Sequence, residues 1–229
     1  MILLEPSELS FDEIAAYARL GHKYQIDHLL QQALTYLQER FSSKRKDWVD
    51  PYSDCRFRGP EAIGAVNIAR LTGCLSILPT ALLICSGLPA RTLVRGFTLG
   101  NGVMEKLSRV DLTLCIEAKG KLMRASTDAV ICALAPEITE EAMGRCRRTQ
   151  CRRSMRELLY TLRSKPNLLS TTNPFTPTAA IFKSDEVPLC NSCSVKLEGA
   201  LLKQQEKMWT KLPKLVGVTV KDWDANVRT

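Results

Sequence analysis

The chain has 229 residues, enough to bury a sizeable core in one large or two small domains. Its composition, 45% hydrophobic and 24% charged, is that of a globular protein, and no apolar run approaches the roughly 18 residues a membrane span needs. The net charge of +8 is lopsided: residues 1–100 hold 11 Lys+Arg against 10 Asp+Glu, and the remainder 21 against 14, which excludes a uniformly basic coat.

The first readable element begins at Ser10, which with Glu13 three residues later forms a capping box. Ile14, Tyr17, Ala18 and Leu20 then recur at helical spacing. Gly21 is positioned to end this helix in the left-handed conformation. Asp27 is the expected N-cap of a second helix with the apolar stripe Leu30, Ala33, Leu34, Leu37 and Phe41. The short link from His22 to Ile26 fits an antiparallel helix pair.

Ser42 to Gly59 is polar and reads as a long loop with a short turn around Trp48. Pro60 and Gly73 bracket a helix carrying Ile63, Val66, Ile68, Ala69 and Leu71. Pro79 opens the next, Thr80 to Cys85, which Gly87 and Pro89 stop. It is apolar on nearly every side and is expected at the centre of the core. Gly96, Gly100 and Gly102 predict irregular structure, and their spacing lacks the Gly-Lys-Ser/Thr element of a phosphate loop.

Asp111 is the expected cap of a longer helix reaching Leu134, with Gly120 a weak point inside it and Pro136 its end. Thr139 is expected to start another, Glu140 to Arg163, with acids in its first turn where the helix dipole favours them. Its stripe is Cys151, Met155, Leu158, Leu159 and Leu162. Lys165 to Pro188 is rich in Pro, Ser, Thr and Asn and reads as a linker or mobile loop. A last helix, Ser192 to Lys211, precedes a packed, partly irregular ending with Trp209, Leu212, Pro213 and Trp223. Val216 to Val220 is the sole alternating run. The expectation is an all-α fold, an irregular multi-helix array with little or no sheet, divided into residues 1–135 and 136–229, with a mobile loop at 165–188.

Nine cysteines and an N-terminus without a basic, apolar leader pattern point to a reducing compartment, cytoplasm or nucleus, with most thiols buried. Cys190 and Cys193 have the two-residue spacing with which one loop presents two thiolates to zinc. They are the candidate metal ligands, for a structural zinc. Cys146 and Cys151 lie upstream. Within a continuous helix over 140–163, residues five apart sit about 140° apart around the axis, so these two are not expected to converge on one ion. A redox role for the CxxC lacks the βαβ context such sites have.

Six arginines fall between Arg145 and Arg156 without an intervening acid. Arg147, Arg148, Arg152 and Arg153 are the candidate interaction residues, able to meet phosphates or an acidic protein face. No aromatic residues for base stacking lie beside them, so a protein partner or plain solvation is expected before nucleic acid. His22 and His28 lack a nucleophile partner and are expected to be structural. Glu137, Glu140 and Glu141 belong to a helix start. No catalytic residue and no cofactor is assigned, and the chain is not read as an enzyme.

One stretch carries more than composition. Ala18 to Ile26, reading ARLGHKYQI, with Leu29, Ala33-Leu34 and Leu37, resembles the closing helices of a BTB/POZ domain. In particular it resembles the BTB proteins of mushroom-forming fungi, which carry an LGHKYxIxxL motif there. Looser similarity extends to Ala62–Cys85, to Asp111-Leu112 ahead of Cys115, to Cys190 and Cys193, and to the ending with Trp209, Leu212-Pro213 and Trp223. The resemblance implies a protein–protein interaction module, in some family members a substrate adaptor for a cullin-type ubiquitin ligase. In the family a β-rich core precedes these helices, whereas ten residues do so here. The expectation is therefore a chain without that sheet or the dimer interface it provides, which leaves its oligomeric state and cullin binding open. Ile14, Tyr17 and Leu20 are then expected to pack on the helices around Ile63 to Cys85.

Overall fold

The structure, a computed structural model, describes residues 9–49, 59–138, 146, 149–164, 171–175, 189–221 and 223. The fold is all-α, with one short antiparallel ribbon among the described residues. None of the helices described is long and apolar enough to cross a membrane. The chain groups into two compact units, residues 1–119 with 212–229, and residues 120–211. The division falls at Gly120, inside a helix that continues through it.

In the first unit, α1 (Phe11–Tyr24) opens with the expected capping box: the Ser10 hydroxyl accepts from the Glu13 N–H, and the Glu13 carboxylate accepts from the Ser10 N–H at 2.8 Å. Gly21 does not end the helix. Gln25 does, adopting the left-handed conformation at φ 54° while its N–H bonds the Gly21 carbonyl. Gly21 serves a different need. A Cβ there would lie 2.7 Å from the backbone nitrogen of Leu30, so glycine is what lets α2 (Asp27–Arg40) come so close. Ile26 occupies the N-cap position of α2, and Asp27 its first helical one.

The turn expected around Trp48 is the short helix α3 (Arg45–Val49), with Trp48 buried. Pro60 then caps α4 (Glu61–Thr72), and Gly73, at φ 73°, ends it. A 3-10 turn over Leu75–Ile77 leads into α5 (Leu78–Gly87). Every residue from Leu78 to Leu83 is buried, as are Cys85 and Ser86. An apolar side chain so enclosed contributes about 1.5–3 kcal/mol by leaving water, so α4 and α5 supply the centre of this unit's core. The buried Thr80 hydroxyl donates to the Phe41 carbonyl at the end of α2, at 2.9 Å.

Helix α1 meets α4 where Phe11 lies over Gly64, too near for any Cβ. Ile14 is buried and Tyr17 half-buried, but Leu20 remains 45% exposed, so the expected packing of all three reaches only part of the way along α1. The reason is rotational: Leu20 lies outside the face defined by Phe11, Ile14, Ala15, Ala18 and Gly21.

After α6 (Ala90–Arg95) comes the ribbon, β1 (Phe97–Thr98) with β2 (Met104–Glu105), in the register Phe97 to Glu105 and Thr98 to Met104. It places the buried Glu105 carboxylate between two helices, accepting from Arg19 of α1 and from Asn67 of α4. Helix α7 (Arg109–Ile138) is capped by Ser108 rather than by Asp111. The Ser108 hydroxyl accepts from the Asp111 N–H at 3.0 Å and donates to its carboxylate, which also receives two N–H groups of Arg70. The helix passes Pro136 and ends at Ile138, since a proline in the last turn forfeits its own N–H bond without stopping the turn already begun.

The alternating run Val216 to Val220 is not a strand. It follows α10 (Leu212–Leu215), and Gly217, at φ 78°, closes that turn with the Val218 N–H reaching the Pro213 carbonyl at 2.9 Å. This is a helix-ending arrangement in which glycine takes the left-handed position.

The second unit contains the later part of α7, then α8 (Thr149–Ser164) and α9 (Asn191–Thr210). Helix α8 begins at Thr149 and not at Glu140: Cys146 is not helical, and the acids expected in a first turn at Glu140 and Glu141 lie outside the described residues. Within the loop expected over 165–188, residues 171–175 are tied down. The buried Phe175 ring meets Trp209 edge-on at 5.0 Å, and the Gln205 side-chain amide donates to the Pro174 carbonyl at 2.9 Å.

Candidate metal centre

The later start of α8 changes the arrangement of the cysteines. Cys146 precedes the helix, Cys151 sits in its first turn, and the angular separation expected of two residues on one helix does not apply. Their partners lie 39 and more residues on, at the start of α9, where Cys190 is the N-cap in extended conformation (φ −70°, ψ 156°) and Cys193 stands in the first turn. The Cys190 carbonyl accepts the N–H groups of Cys193 and Ser194, both at 3.0 Å. This folds the four residues into a knuckle that turns both sulfurs the same way.

The four Sγ atoms of Cys146, Cys151, Cys190 and Cys193 all lie within 4.8 Å of one another. Cys146 and Cys190 are 3.9 Å apart, and the Cys190 N–H donates to the Cys151 sulfur at 3.3 Å. Cys151 is buried and the other three are half-buried. All four are free thiols, too far apart to be bonded in pairs.

Their acidities diverge. Hydrogen bonds from the Cys193 backbone, and then from the thiols of Cys193 and Cys151, lower the Cys190 pKa to about 7. Burial, followed by the hydrogen bonds and charges of its neighbours, pushes Cys193 well up. Burial also raises Cys151. The Cys190 thiolate therefore forms readily, whereas thiolates at Cys151 and Cys193 are opposed first by burial and then by their neighbours. Elsewhere, in the first unit, Cys85 is held firmly as a thiol by its hydrogen bond to Cys115 and by burial.

Of the arginines, Arg153 is exposed and paired along its own helix with Glu157, at 2.8 Å. Arg147 and Arg148 lie outside the described residues, as does the side chain of Arg152. His22 and His28 are both exposed on the first helix pair. No protein-family model, curated protein or solved structure matches the chain.

The cysteine spacing at 190 and 193 is readable in sequence, but the contribution of Cys146 and Cys151 depends on where α8 begins. The signal that could have placed it is Thr149, a residue type that favours helix starts, two positions before Cys151.

Proposed function

We propose that the chain is a non-enzymatic protein–protein interaction module of the kind its first helix pair resembles, the closing helices and following region of a fungal BTB protein, working in the cytoplasm or nucleus. The observation that carries this reading is the α1–α2 hairpin. In its ARLGHKYQI stretch Gly21 admits the backbone of α2 and Gln25 makes the left-handed turn, so the motif has a defined structural task. Beside that turn, Leu20 and Tyr24 are 45% and 60% exposed, an apolar pair next to the cation of Lys23. Such a group at the end of a rigid hairpin suits contact with another protein. The buried carboxylates Glu105 and Asp111 are engaged by Arg19, Asn67 and Arg70, which gives them architectural duties.

An adaptor role toward a cullin-type ubiquitin ligase is the narrower form of the same proposal. The test is an affinity capture with the tagged full chain, compared with a Leu20→Asp, Tyr24→Asp variant that remains folded by circular dichroism. A reproducible protein partner, lost in the variant, is the expected result, and a cullin among the captured proteins would support the narrower form. Capture no different from a tag-only control would overturn the module reading.

A further inference from the structure

We infer that Cys146, Cys151, Cys190 and Cys193 bind a single zinc ion through four sulfurs, joining the start of α8 to the start of α9. This goes beyond the partner-binding reading and does not depend on it.

The geometry favours one small tetrahedral ion. A zinc–thiolate bond of about 2.3 Å gives a tetrahedron whose sulfurs are about 3.8 Å apart. The separation of Cys146 and Cys190 is 3.9 Å, and no pair of the four exceeds 4.8 Å. Closing the site thus asks for sub-ångström to one-ångström movements of side chains whose backbones are already placed. A multi-iron cluster would hold its thiolates farther apart around a larger body, and four soft sulfur donors match zinc better than calcium or magnesium.

The surroundings fit as well. Four thiolates around a divalent cation leave a net charge of −2, and two helix N-termini converge there, at Thr149 and Asn191, with their positive ends directed toward it. The Cys190 N–H already donates to the Cys151 sulfur, the kind of outer hydrogen bond that orients a ligand and spreads its charge. Half-burial of three ligands and full burial of the fourth leave a route for the ion while restricting water. With four protein ligands there is no open coordination position, so the site is structural and not catalytic.

The consequence is topological. The ligands come in two local pairs, 146 with 151 and 190 with 193, separated by a long stretch of chain. Joining them closes that stretch into a loop, and closing long loops restricts the unfolded chain most. Binding would therefore be coupled to the folding of residues 146–211.

The test uses the full chain, expressed with zinc in the medium and purified without chelator. Elemental analysis should find one zinc per chain, and replacement by cobalt should give the visible absorption of tetrahedral sulfur coordination together with sulfur-to-cobalt charge transfer. A Cys151→Ser, Cys190→Ser double variant should lose the ion, while Cys132→Ser, altering an exposed cysteine, should keep it. Because the double variant could also misfold, thiol labelling of the native protein gives a second measure: beyond Cys85 and Cys115, which burial shields with or without metal, four cysteines should become reactive only when a chelator is added, and mass mapping should place them at 146, 151, 190 and 193. Absence of stoichiometric zinc would overturn the inference. So would iron in its place, zinc retained by the double variant, or protection at 146, 151, 190 and 193 that a chelator does not release.

Discussion

Helices α4 and α5 of the first unit bury side chains on almost every side, from Ala62 to Ala69 and from Leu78 to Ser86 with few breaks. Helices α8 and α9 of the second bury one stripe each: Cys151, Ser154, Met155, Leu158 and Leu162 in one, Leu197, Leu201, Gln205, Met208 and Trp209 in the other. A helix enclosed all round gains from burial along its whole length. A helix with one apolar stripe gains about half as much per turn and leaves more of its stability to individual ties. The second unit has such ties, in the Phe175–Trp209 contact, the Gln205–Pro174 hydrogen bond and the four cysteines. A few specific anchors thus offset the narrower apolar faces of the later helices, and each can be removed alone.

The largest effect should come from removing the aromatic anchor. Phe175→Ala takes away a ring that is 2% exposed and packed edge-on against the fully buried Trp209. Truncations of this kind cost about 3–5 kcal/mol. Hydrogen exchange should accelerate across 191–210 and stay unchanged across 61–87. Equal acceleration in both segments would show that the second unit does not depend on this anchor separately from the first.

What could be read from the sequence divides differently, between features set by a residue's own backbone and features set by distant partners. The boundaries of α4 and α5 were legible because Pro60, Gly73 and Pro79 act through their own backbones, whatever surrounds them. Gly21 was misread because its task is tertiary: the atom it makes room for belongs to Leu30, on the next helix. The ribbon escaped notice because two-residue strands are too short to alternate, and Glu105 finds its partners 86 and 38 residues away. At the cysteines, local spacing marked 190 and 193. Acids at 140 and 141 suggested too early a helix start, and that error separated 146 from 151.

A smaller effect is expected from Gly21→Ala in the first unit. The added methyl would meet the Leu30 backbone at 2.7 Å and its Cβ at 3.0 Å, and backbone cannot rotate aside as a side-chain tip can. Overpacking of this kind costs about 1–3 kcal/mol, partly offset by the better helix propensity of alanine. Thermal unfolding followed by exchange should show loosening in 11–40 and none in 191–210. A stabilised variant would mean that α1 and α2 can separate at little cost, and that the hairpin is not the rigid element from which Leu20 and Tyr24 project.

The smallest effect tests whether α1 relies on its start as well as on its buried face. Ser10→Ala removes the hydroxyl that caps the Glu13 N–H, a loss of about 1 kcal/mol at neutral pH. The companion half of the box sets a pH dependence. Hydrogen bonds to Glu13, first from the Ser10 backbone and then from its hydroxyl, hold this carboxyl below its ordinary pKa. A group whose folded pKa lies below its unfolded value adds stability above the unfolded value and loses it as pH falls through the folded one. The Ser10 hydroxyl bond to Glu13 is part of that gain, so the stability gap between the wild type and Ser10→Ala should narrow as the solution is acidified through the carboxylate range. Chemical denaturation at a series of pH values measures the gap directly. A gap that widens in acid would mean that the carboxylate opposes the cap, and that α1 is held in place by Phe11, Ile14 and Ala18 alone.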